Sequence, residues 1–279
     1  MAVIEAPIAH PSSLERPTGP VARDLLGAEW IKLRSVRSTF WTLLAAAVFT
    51  IGIGAIICAV YSAQYDNVGA SDRLRFDAGS FSLTGGILAQ IAIAVLGVMV
   101  ITGEFGSGMV RTSFIATPRR VTVLAAKCAV FAATTFVVML ATCLAAFGIG
   151  QAILSSKHIG VGIGAPHALR SIVGTALYLT LLGLLSLGIG SILRKTAGAV
   201  TAVVGMLFVL PGLASLLPGS LDTVQRFLPS NAAQEMLTGG VTPRSGPALL
   251  SPWIGLGVFG LYAAIALAGA AYLLVRRDP

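Results

Sequence analysis

The sequence predicts an all-α integral membrane protein: six transmembrane helices behind an N-terminal amphipathic interfacial helix, with both termini cytoplasmic. Three observations predict it. Of 279 residues, 56% are hydrophobic and only 11% charged, with a mean hydropathy of +0.88, whereas soluble globular chains carry about 25% charged residues to face water. The apolar residues gather into six runs, each near the roughly 20 residues a helix needs to cross the hydrocarbon core. The Lys and Arg residues stand at the ends of those runs and form no basic face or tail. That is the pattern of topology signals, and it argues against a nucleic-acid partner despite the net charge of +8.

Residues 1–22 hold Pro7, Pro11, Pro17 and Pro20 without periodicity and read as a disordered cytoplasmic tail. Glu5 and Glu15, with no apolar core before Phe40, argue against a signal peptide. Residues 23–38 place Leu26, Trp30, Leu33 and Val36 at helical spacing, with Arg23, Lys32 and Arg34 at or beyond the edge of that stripe and Glu29 and Arg37 interrupting it. An amphipathic helix in the headgroup region is expected; a basic flank that only orients the first span would carry the same charges.

The transmembrane domain occupies residues 39–279, with spans over about 40–61, 81–102, 121–147, 169–193, 196–217 and 253–275. A charge at mid-membrane costs about 2.5–3.5 kcal/mol on insertion scales, and the runs avoid it. Lys127 and Arg170, near the starts of the third and fourth runs, are expected to snorkel to an interface. Pro211, inside the fifth run, is expected to kink or break that helix. With the N-terminus inside, thirteen of the 19 Lys and Arg residues fall on the cytoplasmic side and six outside. Trp41, Tyr61, Trp253 and Tyr272 stand near span ends, as interfacial aromatics do. Cys58, Cys128 and Cys143 lie within apolar runs, and an odd number implies no disulfide framework. Of the outer connections, residues 218–252 are the longest. There the segment SNAAQEML, opening at Ser230 or Asn231, reads as a short helix at the membrane face.

Catalytic chemistry finds little to work with. His10, His158 and His167 lie outside the runs, no H-E-x-x-H or Cys/His cluster has metal spacing, and no Asp or Glu falls within a run. That last point also weighs against ion-coupled transport, which ordinarily keeps ionisable groups at mid-depth. The segment GLGVFG (255–260) fits G-x-G-x-x-G, but it lies in an apolar run without the strand or acidic residue of a dinucleotide site; close helix packing accounts for it better. Thr134, Thr135, Tyr178, Thr180 and Ser186 are candidates to line a translocation path, although hydroxyls at such positions more often bond backbone or neighbouring helices.

The connection after the second run, GEFGSGMVRTSFIATPRR (103–120), is the one cytoplasmic joint long enough for a folded element. Ser107 can cap a helix start, Val110 and Phe114 form an apolar i, i+4 pair, and Pro118 disfavours helix at Thr117. A helix over 108–116 is expected, about 13 Å long. One so short is unstable alone in water and must rest on something.

Glu104, Phe105, Gly108, Val110 and Arg111 form a Glu–aromatic–x–x–Gly–x–hydrophobic–Arg pattern that resembles the permease subunits of ABC transporters of the type-2 exporter class. Glu29, Lys32, Leu33 and Arg34 resemble that family's E-x-x-K-L-R segment before the first span, with Trp30 between them, and FLPSNAAQ (227–234) resembles its last outer loop. Met109 stands where the pattern carries Thr. The resemblance implies a six-helix half-transporter that exports a substrate across the cell (plasma) membrane of a bacterium. It implies a second permease chain, alike or different, and separate ATP-binding cassette subunits that hold the ATP and magnesium. This chain carries no G-x-x-x-x-G-K-[ST] and no cofactor of its own is expected. The segment 107–117 would dock on the ATPase, Glu104 and Arg111 would hold the loop at the membrane boundary, and the helix over 23–38 would brace it. Alternatives within the same architecture are an immunity or resistance module removing a lipid-embedded antimicrobial, and a membrane scaffold that transports nothing.

Overall fold

The computed structural model describes residues 22–69, 73, 76–109, 120–165, 167–214, 227–229 and 250–276. Among them the chain is helical throughout, with no strand and six helices long and apolar enough to cross a membrane. Helix α1 (Ala22–Ser35) carries Asp24 in its first turn and Lys32 and Arg34 in its last, each sign matched to the helix dipole. Val36 is extended and breaks the path, and the first span begins at once as Arg37–Gln64 with no side-chain cap.

The second span departs from expectation. The apolar run suggests a start near residue 81, but Asp77 caps a separate short helix, Ala78–Leu83, accepting from the Gly79 N–H at 3.3 Å and the Ser80 hydroxyl at 2.6 Å. The span itself is Gly86–Ser107, five residues later at each end than the pattern suggests. Glycine makes the joint possible: a Cβ on Gly85 would lie 2.3 Å from the Thr50 carbonyl oxygen, so the first span's backbone seats directly on it.

The third span, Arg120–Ser155, has 36 residues and is about 54 Å long at 1.5 Å per residue, well beyond the roughly 30 Å hydrocarbon core, so it tilts or projects. The fourth is Ala168–Leu193, the fifth Thr196–Leu213 and the sixth Pro252–Arg276. Pro211 does not break the fifth span, which continues helical through it. A proline clashes with the carbonyl four residues back and lacks an N–H; the turn before it widens into a π turn, Gly205–Val209, in which the Leu210 N–H reaches the Gly205 carbonyl.

The fourth span is the axis of the bundle, 72% enclosed along its most apolar stretch against 17% for the fifth. Its backbone meets that of the second span where a Cβ on Gly97 would lie 2.3 Å from the Gly183 carbonyl oxygen. Ile93, Val98, Met139, Tyr178, Leu182 and Phe259 pack around that crossing. The expected helix over 108–116 does not open at Gly108, which is the left-handed C-cap of the second span; residues 110–116 and the segment SNAAQEML lie outside the described residues.

Candidate functional site

Four charged side chains from three elements converge at one end of the bundle. Glu104 stands in the last turn of the second span and Lys127 two turns into the third. Glu29 and Lys32 are i, i+3 neighbours on α1 and so project from one face. Lys127 Nζ donates to Glu29 Oε2 at 2.5 Å and to Glu104 Oε1 at 2.7 Å. Lys32 Nζ donates to Glu29 Oε1 at 2.7 Å and lies 3.6 Å from Glu104 Oε1. Two carboxylates and two ammonium groups thus close a neutral ring. Lys127 and Glu29 are each only 5% exposed, Glu104 14% and Lys32 28%.

Burial pushes the Glu29 carboxyl up, but the Lys127 charge and the hydrogen bonds from Lys127 and Lys32 outweigh it, and the group is held below the ordinary carboxylate range. Lys32 mirrors it: burial pushes the ammonium down, while the hydrogen bond to Glu29 and the charges of Glu104 and Glu29 carry it above its ordinary value. Such a ring adds little net stability over a well-packed apolar replacement, yet losing one member leaves an uncompensated buried charge.

Lys127 does not snorkel. Its surroundings supply two carboxylates at hydrogen-bond distance, which satisfy the ammonium more cheaply than a stretched path to water. It is the site residue that the sequence pattern passes over. The available signal is a lysine within an apolar run, with Glu104 at the end of the preceding run. The stripe on α1 is also redrawn: Leu25, Glu29, Lys32 and Leu33 turn inward, while Leu26, Trp30 and Arg34 are exposed. The Glu29 that interrupts the apolar pattern is the residue that seats the helix.

Around the ring, Phe105 is half-buried and the Arg194 guanidinium lies 5.1 Å from its ring centre. Arg194 takes a left-handed conformation (φ 56°) to close the fourth span, its N–H on the Gly190 carbonyl at 2.8 Å. Thr196 donates to Thr102 at 2.9 Å, tying the fifth span to the second. Ser107 is the last residue of the second span, its hydroxyl on the Gly103 carbonyl at 2.9 Å, and so does not open a new helix. Gly108 follows with φ +72°, a left-handed C-cap suited to glycine; Met109 is 45% exposed. Val110, Arg111 and Phe114 lie outside the described residues.

The hydroxyls expected as path-lining candidates are hydrogen-bonded within the bundle or buried in it. Thr134, Thr180 and Ser186 each donate to the carbonyl four residues back, at 2.8 Å. The Tyr178 hydroxyl donates to Gln90 Oε1 at 2.8 Å, joining the fourth and second spans, and Thr135 is buried. A cleft of about 380 Å³ opens beside the charge ring, lined by Glu29, Lys32, Glu104 and Lys127 and by apolar residues that include Leu96, Met99 and Val130.

A model of the family described as ABC-2 family transporter protein matches residues 25–212, from α1 into the fifth span. No curated protein matches the chain.

Proposed function

We propose a role that proceeds from one premise: this chain belongs to the ABC-2 family of transporter proteins. It is a membrane-spanning permease subunit of an ABC transporter. In our reading it moves a substrate outward across the plasma membrane of a bacterial cell, using ATP hydrolysed with magnesium on a separate ATP-binding cassette subunit, and it works beside a second permease chain. Outward direction and the second chain follow from likeness to type-2 exporters.

The observation that carries the coupling role is the charge ring. Residues 108–119 connect the second and third spans, and the ring joins Glu104 just before that connection to Lys127 just after it, with α1 bound to both. A partner that pushes on the connection would displace α1 and both span ends as one body, so a local event at the docked ATPase would become a movement of helices. In this reading the ring, the Phe105–Arg194 contact and the segment from Ser107 to Phe114 serve the transmission of force and not bond-making chemistry.

The test is co-expression with the ATP-binding subunit. Phe114→Asp should abolish co-purification. Lys127→Met should retain it while lowering transport-linked ATP hydrolysis about tenfold, within the range of coupling between distant sites. Wild-type hydrolysis and transport by a Lys127→Met complex would overturn the coupling role, and a Phe114→Asp chain that still co-purifies would move the docking site elsewhere.

A further inference from the structure

We propose that the cleft beside the charge ring holds one membrane phospholipid with a phosphate and a primary ammonium in its headgroup, that is, a phosphatidylethanolamine. The inference rests on membrane embedding and on this cleft, and it stands or falls independently of the transport role.

The cleft has two unlike ends. All four ring members, Glu29, Lys32, Glu104 and Lys127, line one; Leu96, Met99 and Val130 are among the apolar residues that line the other. Leu96 and Glu104 share the second span, eight residues or about 12 Å apart along the helix, so the cleft grades from charged to apolar along the span axis. An amphiphile lying parallel to the spans meets both ends with like chemistry. A volume of about 380 Å³ suits a headgroup and the first part of a chain, at the small end of the range for ligand sites.

Charge selects the head. The ring sums to zero, so a lone anion or cation would leave a partly buried charge unbalanced; a zwitterion would not. Lys32 and Glu104 are its two more exposed members, and their 3.6 Å separation is the longest contact in the ring. Opening that edge loses least and offers an ammonium to the phosphate and a carboxylate to the headgroup amine. The first turn of the first span also lines the cleft through Ser38 and Thr39, and its N-terminus has no side-chain cap, which further favours the phosphate on that side. A primary ammonium has three N–H donors for Glu104; the trimethylammonium of phosphatidylcholine has none.

The experiment titrates the full chain in detergent with phosphatidylethanolamine, phosphatidylcholine or phosphatidylglycerol of matched acyl length and follows thermal unfolding. Phosphatidylethanolamine should raise the midpoint by about 5 °C at saturation, more than either of the others. Met99→Trp, which fills the apolar end without touching the ring, should abolish that difference. Glu104→Gln leaves the ring one charge positive and should switch the preference to the anionic phosphatidylglycerol, an inversion that mere loss of structure would not produce. Equal shifts with all three lipids, a wild-type preference for phosphatidylglycerol, or an undiminished phosphatidylethanolamine response in Met99→Trp would each overturn the proposal.

Discussion

The two ends of the third span are held by opposite means. At the Lys127 end, charges fix the helix to α1 and the second span through contacts of 2.5 and 2.7 Å. At the other end the contacts made by the helix itself are neutral and tight, and the exposed Lys157–Asp66 pair lies past its last residue. A Cβ on Gly150 would lie 2.3 Å from Ser82 Oγ and 3.2 Å from Cys58 Sγ, and Gln151 Nε2 donates to the Ala78 carbonyl at 3.0 Å and Ser82 Oγ at 3.1 Å. Coulomb attraction falls off slowly with distance and persists while elements shift; close packing loses its energy within an ångström. The difference suggests a helix anchored by shape at one end and tethered at the other, where movement is to be passed on.

The sharpest break of that contrast is Lys127→Met, which leaves Glu29 and Glu104 buried with one ammonium between them. Unfolding in detergent should show a loss of about 3–5 kcal/mol. Replacing all four members with apolar residues should restore most of that stability, yet leave ATP hydrolysis in the co-purified complex uncoupled from transport; recovery of both would reduce the ring to packing. Gly150→Ala comes next, at about 1–3 kcal/mol, because the added methyl must displace Ser82. The two sites are 23 residues apart on one helix, so the double variant should be additive to within about 0.5 kcal/mol. Gln151→Leu should lower stability by about 1 kcal/mol through its lost hydrogen bonds.

The smallest effect at the charged end is that of pH. Glu29 is held below its ordinary 4.5, so its contribution is complete above that value and lost as pH falls through the lower folded value. Lys32 is raised above 10.5, so its contribution is complete below that value and lost as pH rises through the higher folded value. Stability from this pair should be flat from pH 4.5 to 10.5, with limbs on both sides that vanish in the fourfold apolar variant.

The spans were legible because lipid imposes one simple demand, a long apolar run, and the runs are uninterrupted. Their limits were less so. Asp77 diverts Phe81 into a short capped helix, and a cap is a local hydrogen bond that hydropathy does not register. The charge ring lay half in view: Glu29, Lys32 and Glu104 stand out by pattern, but nothing in the order of residues says that Lys127, 98 positions after Glu29, faces it. The helical period of α1 was visible while its packed face was not, because an apolar stripe beside lipid need not be the side that meets protein. Tyr178 is similar: its burial among apolar neighbours follows from composition, but its hydrogen bond to Gln90 requires the crossing of two spans.

The neutrality of the ring has a consequence in the language of membrane voltage. Moving one elementary charge across 100 mV takes about 2.3 kcal/mol. Two carboxylates and two ammonium groups displaced as a unit carry no net charge through the field, so the electrical work on them cancels. Whatever distance the ring travels as a unit, the resting potential does no net work on these four groups, and any voltage dependence at this end of the bundle must come from the cations around it, such as Arg37 and Lys195.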